Sequence, residues 1–279
     1  IGKNGVELLH NNKPIRKYDC VYTRGSFKYA LLQRALTEAL VGKCYFPIQP
    51  NAFTIGHDKF LTSIALKKNG IPTPGTYLAL TTASAKDLLK QVNYPIIIKL
   101  PSGTHGKGVM FADTASSGKT ILDTLEVFKQ PFIIQEYIET GKNKAEDIRV
   151  IVSGDKVLAA MKRQSGGDGD IRANIHMGGS GKKVVLTYEQ EQIAIKAGKA
   201  LGCDLSAIDI LDSGGDSYVL EVNLSPGIQG ITEATGKNIA AGFAEFLYEK
   251  TKEFVASKKD GEVKELLDSL DAGKKEIII

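Results

Sequence analysis

Residues 206–227, SAIDILDSGGDSYVLEVNLSPG, constrain this chain more than any other stretch. Two short apolar-rich runs, AIDIL and YVLEV, flank a Gly-, Ser- and Asp-rich turn, which is the pattern of a β-hairpin. Side chains alternate along a strand, so Glu221 and Asn223 share one face and Val222 takes the other. Asp209 interrupts an apolar run between Ile208 and Ile210. If the two strands pair, Asp209 joins that face, and two carboxylates and an amide oxygen converge with no His or Cys in the stretch. A small set of hard oxygen donors suits Mg²⁺, which keeps positions for water and substrate phosphates. An edge hairpin with a solvated polar face has the same pattern, so the hairpin alone leaves both readings open.

The length, 279 residues, allows two or three small domains around a sizeable core. The net charge of +4 is spread along the chain, without the basic stripe and interleaved aromatics of a nucleic-acid surface. No apolar run approaches a membrane span and no signal peptide is visible, so a cytoplasmic protein is expected. Cys20, Cys44 and Cys203 lie far apart without CxxC spacing, as for buried thiols in a reducing compartment. The chain opens at Ile1 rather than Met, and an N-terminal piece is expected to be missing.

Residues 1–55 read as α/β material: strand-like VELLHNN-KP and YDCVYTR, a helix over SFKYALLQRALTEAL, then KCYFPIQP as a strand ended by proline. An amphipathic helix, KFLTSIALKKN, follows and closes at Gly70. The next unit alternates TYLAL, SAKDLLKQV, PIIIKL, a glycine-rich SGTHGKGV, a helix around SGKTILDTLEVF, and PFIIQEYI. Lys99 is the one charge in PIIIKL, and an ammonium in such a run needs a partner. A salt bridge or an exposed strand end would serve. So would a ligand phosphate, because Gly103, Gly106 and Gly108 come next and glycine lets backbone N–H groups approach anionic oxygens. Their spacing is neither Walker A nor G-x-G-x-x-G.

The third unit holds a hairpin over EDIRVIVSGDKVLAAMKRQ, a polar glycine-rich loop with Arg172, Asn174 and His176, a helix ended by Gly202, and the opening hairpin. A loop over NLSPGIQGITEATGKNIA and a helix over AAGFAEFLYEKTKEFV complete it. Asp147, Arg149, Lys162, Arg163 and Arg172 punctuate this unit. Such charges are usually a solvated face, yet arginines beside an acidic site can clamp phosphate or carboxylate. Residues 257–279 are charge-rich with apolar positions at helical spacing, expected as a short docked helix or a mobile tail.

The order of these motifs is more specific than any one of them. A lysine before a helix, a lysine in a strand, a glycine-rich loop, Q-E-Y-I, D-I-R, R-x-N and then D…E-x-N resembles the ATP-grasp ligases. GDIRANIHMGG, AIDIL, EVNLSPGIQGI and ATG-NIA resemble the RimK-type α-L-glutamate ligases in particular, with similarity over about residues 15–250. The resemblance implies an α/β chain of α+β lobes, an ATP-grasp fold with a truncated N-terminal α/β domain. That domain would occupy residues 1–55, a central lid domain 56–135, a C-terminal domain with the metal site 136–250, and a charged tail 251–279.

It also implies roles. Lys59 and Lys99, with the loop glycines, would meet the nucleotide phosphates. Gln135, Glu136, Tyr137 and Ile138 would form the hinge beside adenine, and Asp147 would sit near the ribose. Arg172, Ala173 and Asn174 would face the transferred phosphate, while Asp209, Glu221 and Asn223 would hold Mg²⁺, or Mn²⁺ in its place. Arg149, Lys162 and Arg163 are assigned to the carboxylates of the acceptor and of glutamate. The implied activity is ATP-dependent addition of L-glutamate, or a similar amino acid, to an acceptor carboxylate through an acyl phosphate. The acceptor would be a protein tail or a small-molecule cofactor, with a homo-oligomer left open. A kinase-like phosphotransferase and a non-catalytic ATP-binding module are the alternatives.

Overall fold

The computed structural model describes residues 6–15, 17–101, 108–140, 145–165 and 180–274, with side chains through residue 259. The chain starts with a small hairpin, β1 (Leu9–His10) and β2 (Lys13–Pro14), turned by Asn11 and Asn12 at φ 51° and 59°. Asparagine tolerates that left-handed backbone, which two-residue hairpin turns require. Helices α1 (Ala30–Glu38), α2 (Pro50–Gly56) and α3 (Lys59–Lys68) follow. The expected strand over KCYFPIQP does not form: Tyr45 and Ile48 make only isolated bridges, to Cys20 and Cys203. Pro47 and Pro50 have no N–H to give a ladder, and Pro50 instead opens α2 at the first helical turn, where none is needed. Asp58 caps α3 by accepting from the N–H groups of Phe60 and Leu61 at 2.9 and 2.8 Å.

A first antiparallel sheet is built from β3 (Thr76–Leu78), β4 (Ile96–Lys99), β5 (Val109–Ala112) and β6 (Ile133–Glu136), in the order β3-β6-β4-β5. Helices α4 (Thr82–Leu88) and α5 (Ala115–Val127) cover one face, against Ile96, Ile98, Ala112 and Ile134. Alternation then turns Ile97, Lys99 and Gln135 to the other face.

The second sheet has the order β11-β10-β7-β8-β9, from β7 (Glu146–Ser153), β8 (Lys156–Gln164), β9 (Ser180–Lys183), β10 (Leu205–Ser213) and β11 (Asp216–Asn223). It is buried on both faces. Helices α2, α3 and α6 (Tyr188–Leu201) pack on one side through Phe53, Leu66, Ala194 and Ala197 against Val150, Ile208 and Val222. On the other, Ile231 of α7 (Gln229–Thr235) and Ile239 and Phe243 of α8 (Ile239–Lys274) cover Ile151, Met161 and Ala207. The stretch expected as a loop after β11 therefore contains α7, which ends at Gly236 with φ 68°. The charge-rich end, expected as a short docked helix or a mobile tail, is helical to Lys274 and continuous with α8.

Candidate active site

The β10–β11 hairpin forms, turned by Gly214 and Gly215 at positive φ. Its ladder carries a bulge: Ile210 pairs with Val219, yet Asp209 pairs with Glu221, so Leu220 is the extra residue. An unbroken ladder would have put Leu220 opposite Asp209. The bulge puts the carboxylate there instead. Asn223, two residues on, shares the face and donates from Nδ2 to Asp209 Oδ2 at 3.2 Å.

Asp209 is 3% exposed, and its two oxygens are heavily used. Arg149, directly across on β7, donates from Nε to Oδ1 at 2.8 Å and from Nη2 to Oδ2 at 2.7 Å. Arg163 Nη2 lies 3.0 Å from Oδ2. Burial pushes the Asp209 carboxyl up, but the guanidiniums of Arg149 and Arg163 overcome it and hold the group at about 2. Arg163 in turn grips Asp147, its register partner on β7, from Nε and Nη2 at 2.6 Å each. Burial raises the Asp147 carboxyl to about 6 while Arg163 pulls against it. Lys162 points to the opposite face of β8, where its ammonium is 2.5 Å from Glu146 and about half exposed. It is thus separated from Arg149 and Arg163, with which the sequence reading grouped it.

On the smaller sheet, buried Lys99 donates from Nζ to Gln135 Oε1 at 2.6 Å. Gln135 Nε2 donates onward to Thr76 Oγ1 at 2.7 Å, where the Ser63 hydroxyl also arrives at 3.3 Å. Burial and the charge of Lys59 lower the Lys99 ammonium to about 8, against the upward pull of Glu221. Two lysines of the first half of the chain and a carboxylate of the second sheet thus share one electrostatic environment. The Lys59 N–H, in the first turn of α3, donates to Pro101 O at 3.0 Å and ties that helix to the end of β4.

Gly108 has φ 76°, and a Cβ there would lie 3.0 Å from Leu100, so the glycine is required by the backbone. Gly103, Gly106, Arg172, Ala173, Asn174 and His176 lie outside the described residues. The Glu136 N–H donates to Gly75 O at 2.8 Å, and the Glu136 carboxylate accepts the Gly75 N–H at 2.8 Å. Tyr137 packs edge-on against Phe111, centroids 5.3 Å apart, and Ile138 is half-buried.

Among the described residues, no three His, Cys, Asp or Glu side chains are grouped to hold a metal. Asp209, Glu221 and Asn223 supply the hard oxygen donors that Mg²⁺ takes, and all lie on one face of the hairpin. Glu221 and the Asn223 carboxamide oxygen fit such an ion directly, whereas Asp209 joins only by giving up guanidinium bonds. Two features escaped the sequence reading. One is the Asp147–Arg163–Asp209–Arg149 chain, whose only local signal is acid and base at alternate positions in D-I-R. The other is the docking of Arg24 and Gly25 on the loop after Asn223. There Arg24 Nη2 donates to Pro226 O at 2.6 Å and the Gly25 N–H donates to Ser225 Oγ at 3.1 Å.

This arrangement of two sheets is the ATP-grasp fold. The chain superposes on PsnB, an ATP-grasp ligase complexed with minimal precursor, with a TM-score of 0.67, 18% identity, and 90% of this chain and 84% of that one covered. For the D-alanine-D-alanine ligase from Coxiella burnetii the TM-score is 0.64 at 17% identity, covering 92% and 75%. Residues 56–247 match the RimK-like ATP-grasp domain, and the chain belongs to that family. A probable alpha-L-glutamate ligase of Vibrio atlanticus (strain LGP32) is 35% identical over 254 residues, 90% of this chain and 83% of its own. One from Legionella pneumophila (strain Corby) is 39% identical over 202 residues, 72% and 66% of the two chains. The chain is accordingly an ATP-dependent carboxylate–amine ligase of this family. Among the described residues, no helix is long and apolar enough to cross a membrane.

Proposed function

We propose that the chain joins L-glutamate, or a closely similar amino acid, to an acceptor carboxylate on a protein tail or small molecule, through an acyl phosphate. The observation that carries this reading is 35% identity to a probable alpha-L-glutamate ligase across 83% of that protein's length. An acceptor carboxylate oxygen attacks the γ-phosphorus of ATP, the bond to the β-phosphate oxygen breaks, and ADP leaves. The amine of glutamate then attacks the acyl carbon, phosphate departs, and the nitrogen loses its proton to give the amide.

The physical difficulty is bringing anions together. Lys99, buried and hydrogen-bonded to a neutral amide, retains its charge for a phosphate, with Lys59 adding to the same field. Glu221, Asn223 and, once released, Asp209 would hold Mg²⁺, which supplies charge neutralisation of the phosphates when bound. Arg149, 16% exposed at the side chain against 6% for Arg163, is the better placed of the two to meet a substrate carboxylate. The smaller sheet, within residues 56–135, would act as the lid over the larger unit of 136–250.

The test incubates the chain with ATP, Mg²⁺ and candidate acceptors, offering either glutamate or hydroxylamine. ADP release with a glutamyl adduct, and hydroxamate when hydroxylamine replaces the amino acid, is the expected result. ADP with a phosphate ester stable to hydroxylamine, or AMP with pyrophosphate, defeats the reading.

A further inference from the structure

The family resemblance puts Asp147 beside the ribose, but its carboxylate is committed elsewhere. Both oxygens accept from the single guanidinium of Arg163, at 2.6 Å each. The residue is 8% exposed, and a sugar hydroxyl would have to displace one arm of a buried bidentate pair to reach it. Arg163, 5% exposed, uses its Nη2 a second time on Asp209 at 3.0 Å. Asp209 is completed by Arg149 on its far side. Two acids and two guanidiniums therefore form one chain across β8, β7 and β10, with no net charge. Its last acid pairs with Glu221 in the hairpin register. Removing one member would leave an uncompensated buried charge, so each group fixes the next.

We propose that Asp147 is a positioning residue that acts through Arg163, orienting the guanidinium on Asp209, rather than a contact of the nucleotide. The proposal rests on the ligase reading above and deepens it at the same site. A ribose contact and a positioning role differ in what they change. The first is felt in nucleotide affinity, whereas the second is felt in turnover, because a misplaced group at the reacting end costs rate.

The experiment uses the full chain with Asp147→Asn, Arg163→Gln and the double variant. Affinity for ADP without Mg²⁺ is measured by calorimetric titration, because Asp209 is itself a candidate donor to the cation, and kcat and KM for ATP by ADP release with acceptor and glutamate. Each single variant is expected to bind free ADP within about threefold of the parent and to lose about tenfold to a hundredfold in kcat, with the double no worse than the poorer single. Free-ADP affinity weakened tenfold or more by Asp147→Asn, or turnover left unchanged, overturns the proposal. If Asp147→Asn leaves Arg163 unpaired and does not fold, the double variant removes both charges and carries the same two measurements. A parent chain that binds ADP but ligates nothing refutes the proposed function, while the free-ADP comparison still decides whether Asp147 touches the nucleotide.

Discussion

A buried ammonium is costly unless an anion meets it, and Lys99 meets only the amide oxygen of Gln135 within hydrogen-bonding distance of its Nζ among the described groups. Its ammonium is lowered to about 8 from 10.5, by burial first and then by Lys59. Between those two values the unfolded chain binds a proton that the folded chain has released. Stability attributable to Lys99 therefore rises with pH across that window, and below about 8 the folded chain carries the full cost of the buried charge. A phosphate arriving at Lys99 reverses the shift, because an adjacent anion favours the charged form. Mg-ADP binding at pH 8.5 should accordingly take up part of a proton, up to about one, and none at pH 6.5. Calorimetry in buffers of differing ionisation enthalpy measures it, and Lys99→Met should abolish it. Equal proton uptake in that variant would place the phosphates away from Lys99.

At the scale of elements, what was legible in the sequence was what local pattern encodes. The β10–β11 hairpin has its turn glycines and its alternation within one short stretch, and β4 and β6 are apolar runs between turns. The pairing of Arg149 with Asp209 was not legible, because residues 60 apart meet only through the strand order β10-β7-β8. The bulge at Leu220 escaped because nothing in YVLEV marks a skipped residue. Helix α7, seven residues long, has too few turns for a periodic signal, and it is held by packing of Ile231 on the sheet. The same packing makes α8 part of the fold. Phe243 is 4% exposed and stacks edge-on with Tyr22, centroids 6.3 Å apart, over the sheet face that carries Asp209. Phe243→Ala should cost about 3–5 kcal/mol through lost burial and the cavity left behind. Denaturant unfolding measures this, and a loss below about 1 kcal/mol would mean that α8 is only loosely docked.

Across the whole molecule, the two sheets are joined by backbone as well as by charge. The Val219 N–H of β11 donates to Pro72 O at 2.8 Å, and the Lys59 N–H reaches Pro101 O at 3.0 Å. Lys99 also feels the like charge of Lys59 and the opposite charge of Glu221 on β11. Glu221 differs from Asp209 in this setting. Asp209 is held by two guanidiniums and is part of the scaffold, whereas Glu221, half-buried at the register position opposite, is the carboxylate better placed to take Mg²⁺. Its removal should therefore spare the fold and remove the linkage between cation and nucleotide. For the parent chain, Mg-ADP at a hundred times its Kd should stabilise the fold by about 2.7 kcal/mol. In Glu221→Ala the melting temperature without ligand should stay close to that of the parent. The extra shift that Mg²⁺ adds to ADP should disappear, and turnover should fall by at least about a hundredfold, the scale of losing one electrostatic stabiliser. Thermal melts with ADP alone and with Mg-ADP, run beside ADP-release assays, separate these effects. Turnover like the parent's at ordinary Mg²⁺ would take Glu221 out of the metal site, and a large drop in the ligand-free melting temperature would make it structural instead.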